Sequence, residues 1–193
     1  MPLSQEQKKF TFADYLKFPD DERWEIIDGL AYMQSAPSPA HQLISGELNR
    51  QFANYLLGKP CKVYPAPFSV RLTKGDEKQN EDITKVVEPD LTIVCDHSKI
   101  DEKGCNGTPD LIIEVISPSS IQHDRVIKFN RYEDAGVREY WIVEPVGKIV
   151  SVFALQSNNR YGRPEVYTEN DHVEVSIFPD LIIELSTVFD FQS

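Results

Sequence analysis

The chain reads PDLIIEVIS from Pro109 to Ser117, an apolar run that is typical of a buried β-strand and carries one carboxylate, Glu114, in its middle. A shorter run of the same kind, PDLTIV, begins at Pro89. An ionised carboxylate among Leu, Ile and Val side chains is costly to bury unless it meets a cation, a proton or hydrogen-bond donors. The sequence therefore suggests that Glu114 has a function. The function we expect is to hold a divalent metal together with Asp90.

Length and composition limit the class of protein. The 193 residues are expected to form a single domain, residues 1–193, with a substantial core. No apolar run is long enough to cross a membrane, so no membrane partner is expected. Three cysteines without a CxxC pair predict three free thiols and a cytoplasmic location rather than a disulfide or a zinc site. The net charge of −11 is not the basic footprint of a nucleic-acid-binding protein, so any such footprint must be local.

Turn and helix signals predict a mixed α/β class with a central mixed sheet. Asp28-Gly29 is a favoured turn dipeptide and predicts a hairpin within residues 24–33. A helix is expected over residues 40–57, where apolar side chains recur at helical spacing. These side chains are Leu43, Ile44, Leu48, Phe52, Tyr55 and Leu56.

Polar segments separate the remaining elements. Residues 73–88 are expected to be an exposed loop, and so is the segment between the two Pro-Asp strands that contains Gly104, Asn106 and Gly107. Residues 117–120, with the sequence SPSS, supply the chemistry of a helix start. The helix that follows is predicted to end near Ala135, before Gly136.

The spacing of the carboxylates indicates which of them can share a metal. Asp110 and Glu114 lie on one face of a strand but about 13 Å apart, too far for one ion. Asp90, which heads the preceding strand, is the better partner for Glu114. Two carboxylate groups, completed by phosphate and water oxygens, suit Mg²⁺.

The predicted second helix contains a candidate cationic residue for the site, Lys128. Asp124, Lys128 and Tyr132 fall at positions i, i+4 and i+8 and form one stripe that could overlook the end of the sheet. A lysine there could orient a water or stabilise charge on a phosphate. An Asp–Lys surface pair is the alternative, and the spacing alone favours it. His41, after a proline-rich turn, could contact a phosphate, although capping or packing near the helix start is favoured.

Taken together, these motifs resemble those of the Uma-type (Uma two) restriction endonuclease family, a branch of the PD-(D/E)XK nuclease superfamily. The resemblance covers nearly the whole chain. The residues that carry it are Trp24 to Gly29, Pro37 to His41, Pro89-Asp90, Pro109 to Ser119, Asp124, Lys128, Tyr132 and Gly136 to Trp141.

The resemblance implies a restriction-endonuclease-like core, a central mixed sheet flanked by helices with additional N- and C-terminal strands. It implies a metal-dependent endonuclease that hydrolyses phosphodiester bonds in DNA and acts as a homodimer, because duplex cleavage needs two sites. An inactive nuclease fold retained as a binding or assembly module is the alternative.

The resemblance also assigns roles to residues. Asp90 and Glu114 are the expected catalytic metal ligands for one Mg²⁺ or two, with Mn²⁺ as an alternative ion. The superfamily's lysine position is occupied by Ile116, and the resemblance transfers its charge to Lys128. Asp124 is expected to hold Lys128 in place, and a further acid is expected from either of two residues, Glu25 or Glu47.

Overall fold

A computed structural model describes residues 9–19, 21–75, 77, 79–117 and 123–190, without the side chains of His123 and Asp124. The mixed α/β class predicted from the sequence is confirmed. Within the described ranges, the α-helices are α1 (Phe12–Tyr15), α2 (Pro39–Leu56), α3 (Phe129–Ala135) and α4 (Leu185–Val188). None of the helices in these ranges is both long and apolar enough to cross a bilayer.

A six-stranded mixed sheet forms the centre of the molecule. In spatial order its strands are β12 (Glu165–Thr168), β11 (Ile149–Ala154), β10 (Glu139–Glu144), β9 (Leu111–Val115), β6 (Leu91–Val94) and β3 (Lys62–Pro65). The central strand β9 runs parallel to β10 and antiparallel to β6, where Leu91 pairs with Ile113. Continuing that register by one residue places Asp90 opposite Glu114, on the same face of the sheet.

A second six-stranded sheet packs beside the first. In spatial order its strands are β2 (Leu30–Met33), β1 (Trp24–Ile27), β5 (Val86–Val87), β4 (Val70–Arg71), β8 (Gly104–Asn106) and β7 (Ile100–Asp101). A short 3₁₀ turn, His97–Lys99, precedes β7. Near the end of the chain, β13 (His172–Glu174) and β14 (Ile182–Glu184) form a separate hairpin.

The two faces of the central sheet bury different partners. On one face, Ile113 and Trp141 pack against α2, α4 and the β13–β14 hairpin. On the other face, Ile112 and Tyr140 pack against α3 and residues of the second sheet, including Val70. Because both faces are covered, β9 is apolar except for Glu114, and the interior of β10, Tyr140 to Val143, is apolar between Glu139 and Glu144 at its ends.

Local sequence signals are confirmed where a few neighbouring residues determine the conformation. Asp28 and Gly29 both adopt positive φ, 54° and 84°, as the tight turn between β1 and β2 requires. Gly136 ends α3 with a φ of 86°, and its N–H donates to the Tyr132 carbonyl at 3.1 Å. In the predicted helix of residues 40–57, however, Leu43 is 58% exposed rather than buried.

Both predicted loops were wrong in part. Residues 73–88 include the buried pair Val86 and Val87, which form β5 between β1 and β4. The segment with Gly104 and Asn106 forms β8, which pairs with β7 and β4. Of the predicted helix start at residues 117–120, positions 118–120 lie outside the described part of the chain.

The prediction of three free thiols was also wrong. Cys61 and Cys95 form a disulfide, and only Cys105 among the described cysteines is free. The physical reason is strand register: Lys62 of β3 pairs with Val94 of β6 in an antiparallel arrangement, so the residues that flank this pair, Cys61 and Cys95, face each other. Spacing in the sequence does not contain this information.

Candidate active site

A cavity of about 680 Å³ opens where the central sheet meets the β1–β2 hairpin. It contains the residue that precedes β6, Asp90, and a residue of β9, Glu114, together with Lys128 from the helix that follows β9. Glu25 of β1 and His41 of α2 also line it. The fold therefore brings five of the predicted site residues to one place from five separate parts of the chain.

Asp90 is fixed at the edge of the sheet by two contacts. Its Oδ2 accepts a hydrogen bond from the Val115 backbone N–H at 2.8 Å and lies 3.1 Å from His41 Nε2. The Val115 contact ties Asp90 to the strand residue that directly follows Glu114. Among the described residues no partner contacts Asp90 Oδ1, so one carboxylate oxygen is available to a ligand.

Glu114 lies at the centre of a buried hydrogen-bond network. Its Oε1 accepts from Lys128 Nζ at 3.0 Å and from the Tyr132 hydroxyl at 2.6 Å. Burial raises the pKa of Tyr132 well above its ordinary value, and the charges of Glu114 and Glu25 add to this effect. The phenol therefore stays protonated and acts as a donor to the carboxylate.

Lys128 bridges two carboxylates. Its Nζ lies 2.9 Å from Glu25 Oε1 and 3.0 Å from Glu114 Oε1, and the lysine side chain is only 3% exposed. A buried ammonium is tolerated when opposite charges and hydrogen bonds satisfy it, as here. Lys128 reaches this place because a π-helical segment, His123–Lys128, leads into α3.

Two charged residues that line the cavity, Glu88 and Arg23, were not predicted from the sequence. Glu88 directly precedes the Pro-Asp motif; its N–H donates to Glu25 Oε1 at 2.9 Å, and its side chain accepts from Arg23 Nε at 3.0 Å and from the Tyr15 hydroxyl. The sequence did contain a signal for Glu88, since it is an acidic residue next to Pro89-Asp90. It was overlooked because residues 73–88 were predicted to be an exposed loop.

Of the remaining predicted residues, some line the cavity and others lie elsewhere. Glu25 lines the cavity, whereas Glu47 lies outside it and binds Arg50 at 2.7 Å and Thr187 at 2.8 Å. The pairing of Asp124 with Lys128 falls on a side chain outside the described part of the chain. Asp110 directly precedes β9 and accepts from the Cys95 N–H at 2.7 Å and from Arg138 at 2.6 Å.

Ile116, at the position where the resemblance led us to expect a lysine, is 4% exposed and packs in the apolar cluster beneath α3. Its N–H donates to the Val143 carbonyl at 2.9 Å, so the backbone of β9 continues regularly through this point. The positive charge that contacts Glu114 comes from the helix side, as Lys128.

The donor set fits a hard divalent cation. The cavity is lined by four carboxylates, those of Glu25, Glu88, Asp90 and Glu114, against two cationic side chains, those of Arg23 and Lys128. No cluster of three or more His, Cys, Asp or Glu in the described ranges has the geometry of a metal site. Mg²⁺ requires no such cluster, since it uses one or two carboxylates and keeps several waters.

The fold is similar to that of a solved structure. The structure is similar to a crystal structure described as "a putative nuclease belonging to DUF820 from Anabaena variabilis ATCC 29413", with a TM-score of 0.69 and 21% sequence identity. The match covers 93% of this chain and 97% of that one. The chain thus has a nuclease-like mixed α/β fold.

The family follows from the sequence comparison. The model described as "Uma2: Putative restriction endonuclease" matches residues 12–186, and the chain belongs to this family. A curated relative, "Uncharacterized protein slr1290" from Synechocystis sp. (strain ATCC 27184 / PCC 6803 / Kazusa), is 26% identical over 148 residues, 75% of this chain and 74% of that protein. The family and fold expected from the resemblance are confirmed.

Proposed function

We propose that this protein is a single-domain, metal-dependent endonuclease that hydrolyses phosphodiester bonds in DNA. The observation that carries the proposal is the convergence of Asp90, Glu114 and Lys128 on one cavity in a nuclease-like fold. These three residues come from a loop, a strand and a helix, and packing alone does not call for a charged cluster at the end of a buried sheet.

Asp90 and Glu114 would hold the metal, Mg²⁺ or Mn²⁺. When bound, such an ion lowers the pKa of a coordinated water and neutralises charge on a scissile phosphate. The fixed position of Asp90, held by the Val115 N–H, orients its carboxylate toward the cavity. Tyr132 donates to Glu114 and keeps that carboxylate from rotating away.

Lys128 is the group that would steady the substrate phosphate or position the attacking water. Its ammonium lies within hydrogen-bond distance of both Glu25 and Glu114, which hold it at the floor of the cavity. Preorganised donors of this kind stabilise charge that develops in the transition state because they need no rearrangement at that moment. Glu25 is the further acid of the site in this proposal.

The net charge of −11 limits how DNA can bind. A polyanion would be repelled by most of the surface, so binding depends on local cations and on the metal. We therefore expect binding to weaken sharply when the metal is removed. A homodimer would provide one site for each strand of a duplex, and sedimentation of the purified protein tests it.

A cytoplasmic location is the remaining part of the proposal. The Cys61–Cys95 disulfide argues against it, since stable disulfides are rare in the cytosol.

One observation favours the alternative, a nuclease fold that binds without cleaving. Glu114 Oε1 already accepts from Lys128 and Tyr132, so this oxygen is occupied before any metal arrives. If that network does not open and Glu114 Oε2 does not reach a cation either, Glu114 cannot serve as a ligand, and the protein would be a binding module.

A calorimetric Mg²⁺ titration followed by a nicking assay on plasmid and branched DNA separates the two functions. Glu114→Gln preserves an acceptor for Lys128 but removes the charge, and we expect it to lose both metal binding and cleavage. Glu139→Gln is a matched control, since Glu139 is fully buried in the neighbouring strand but lies outside the cavity. Nucleic-acid binding without cleavage in both Mg²⁺ and Mn²⁺ would favour the binding module.

A further inference from the structure

A second cavity, of about 220 Å³, adjoins the carboxylate cavity. Arg23, Pro37, His41 and Asp90 line both spaces. The two cavities therefore meet at the His41–Asp90 pair, whose Nε2 and Oδ2 atoms lie 3.1 Å apart. A ligand in the second cavity would lie next to the proposed metal ligand Asp90.

The helix α2 contributes the polar wall of this second cavity. Its lining residues follow the helical repeat i, i+3, i+4, i+7 and are Gln42, Ser45, Gly46 and Asn49. The opposite stripe of the helix, with Ile44 and Leu48, is buried in the core. Packing accounts for the apolar stripe. On the polar stripe the Ser45 hydroxyl donates to the His41 carbonyl at 2.9 Å, whereas the side-chain amides of Gln42 and Asn49 make no hydrogen bond within the described residues.

Two atoms of this wall lack a partner. Within the described part of the chain, three buried side-chain atoms make no hydrogen bond, and two of them, His41 Nδ1 and Asn49 Oδ1, belong to residues of the second cavity. Buried polar atoms in proteins nearly always have a partner. A partner from outside the chain is therefore expected at this place.

The chemistry of the lining matches a nucleobase. Amide side chains offer a donor and an acceptor together, which is the pattern that base edges present. Asp90 is the single carboxylate of this lining, against the four of the larger cavity. The volume of about 220 Å³ is below the roughly 300 to 1,000 Å³ of pockets for larger ligands. It has room for one base but not for a duplex.

Resting on the proposed nuclease function, we propose that the second cavity binds one nucleobase of the substrate strand, next to the scissile phosphate. A base that enters a cavity cannot remain stacked and paired in a duplex. The substrate class is therefore single-stranded or locally unpaired nucleic acid rather than continuous duplex.

Gly46 allows the cavity to be filled without disturbing the core. A Cβ at Gly46 meets no atom within 4 Å, so Gly46→Ala is accommodated, and because Gly46 lines the cavity the phenyl ring of Gly46→Phe is expected to extend into it. Binding of a fluorescein-labelled six-nucleotide single strand is measured by anisotropy with Ca²⁺ in place of Mg²⁺, so that a divalent ion is present, and gel electrophoresis verifies that the strand stays intact. We expect Gly46→Phe to bind about tenfold more weakly and Gly46→Ala to bind as the wild type does. Unfolding midpoints of both variants verify that they are folded.

A set of strands, each with one abasic position, identifies the base. In one register the wild type should bind the abasic strand about tenfold more weakly than the intact strand, whereas Gly46→Phe should not distinguish them. Equal binding by Gly46→Phe and Gly46→Ala, or no abasic effect in any register, would overturn the proposal and leave only water in the cavity. An abasic effect without any cleavage would support the base site and contradict the nuclease proposal. Cleavage without an abasic effect would support the nuclease proposal and contradict the base site.

Discussion

The Lys128 ammonium lies 3.0 Å from Glu114 Oε1, although the two residues are 14 positions apart in the chain. The position two residues after Glu114, where the family resemblance led us to expect a lysine, is occupied by the buried Ile116. A helix residue thus supplies the charge that the strand does not. The contact combines a structural role, neutralising buried acids, with the proposed chemical one.

Replacing Lys128 by methionine should destabilise the protein. The change leaves Glu25 and Glu114 buried without their cation, and breaking a buried ion pair in this way costs about 3–5 kcal/mol. Urea unfolding in EDTA measures the loss. Since a bound Mg²⁺ can offset the same charges, we expect the ion to stabilise Lys128→Met more than it stabilises the wild type. An unchanged unfolding free energy in EDTA would show that the bridge is not formed.

Tyr132→Phe should change the pH dependence of stability. Burial raises the pKa of Tyr132, so the folded protein retains a proton that the unfolded chain releases near pH 10. The free energy of unfolding therefore falls as pH rises above about 10. In Tyr132→Phe this fall should be shallower by about 1.4 kcal/mol per pH unit.

Denaturant unfolding between pH 9 and pH 11.5 tests this prediction. Burial also raises the pKa of Tyr15 and Tyr161, but both remain in the variant, so the difference between the two curves reports Tyr132 alone. Parallel curves for wild type and variant would contradict the burial of the Tyr132 phenol.

The Cys61–Cys95 disulfide predicts one free thiol per chain, that of Cys105. Thiol titration in denaturant without reductant should count one, not three. Reduction should lower the unfolding free energy by about 2–4 kcal/mol, because the bond constrains the unfolded chain. The double variant Cys61→Ser/Cys95→Ser should be insensitive to reductant.

In the native state, burial raises the pKa of Cys105 to about 11, so this thiol should react slowly at pH 8.

Local chemistry made part of the fold predictable. The Asp28-Gly29 turn, the helix α2 and the Gly136 stop depend on residues within one turn of each other, and the sequence displays such signals directly. Glu114 could be singled out for a related reason: a carboxylate inside an apolar strand contradicts the surrounding pattern, and functional sites are where such contradictions are expected.

Pairing between distant segments was not predictable in the same way. Strands of two residues, such as β5 and β4, are too short to show a period, and only the sheet that they join defines them. The disulfide depends on the register of β3 against β6, and the roles of Glu88 and Arg23 depend on the placement of β5 beside β1. The contact of Lys128 with Glu114 requires both the helix path and the depth of the cavity.

The most direct test of the proposed active site compares the aspartates of the two Pro-Asp motifs, Asp90 inside the cavity and Asp110 outside it. Asp90→Asn retains an acceptor for the Val115 N–H but loses its charge, and Asp110→Asn makes the same change at the entrance of β9, where the carboxylate binds Cys95 and Arg138. Mg²⁺-dependent nicking of negatively supercoiled plasmid, in which supercoiling favours locally unpaired segments, is measured for both variants and the wild type. We predict that Asp90→Asn nicks at least about 100-fold more slowly, while Asp110→Asn nicks at a rate close to the wild type. Equal rates for Asp90→Asn and the wild type, or an equal loss in both variants, would contradict the assignment of Asp90 and Glu114 as the active site.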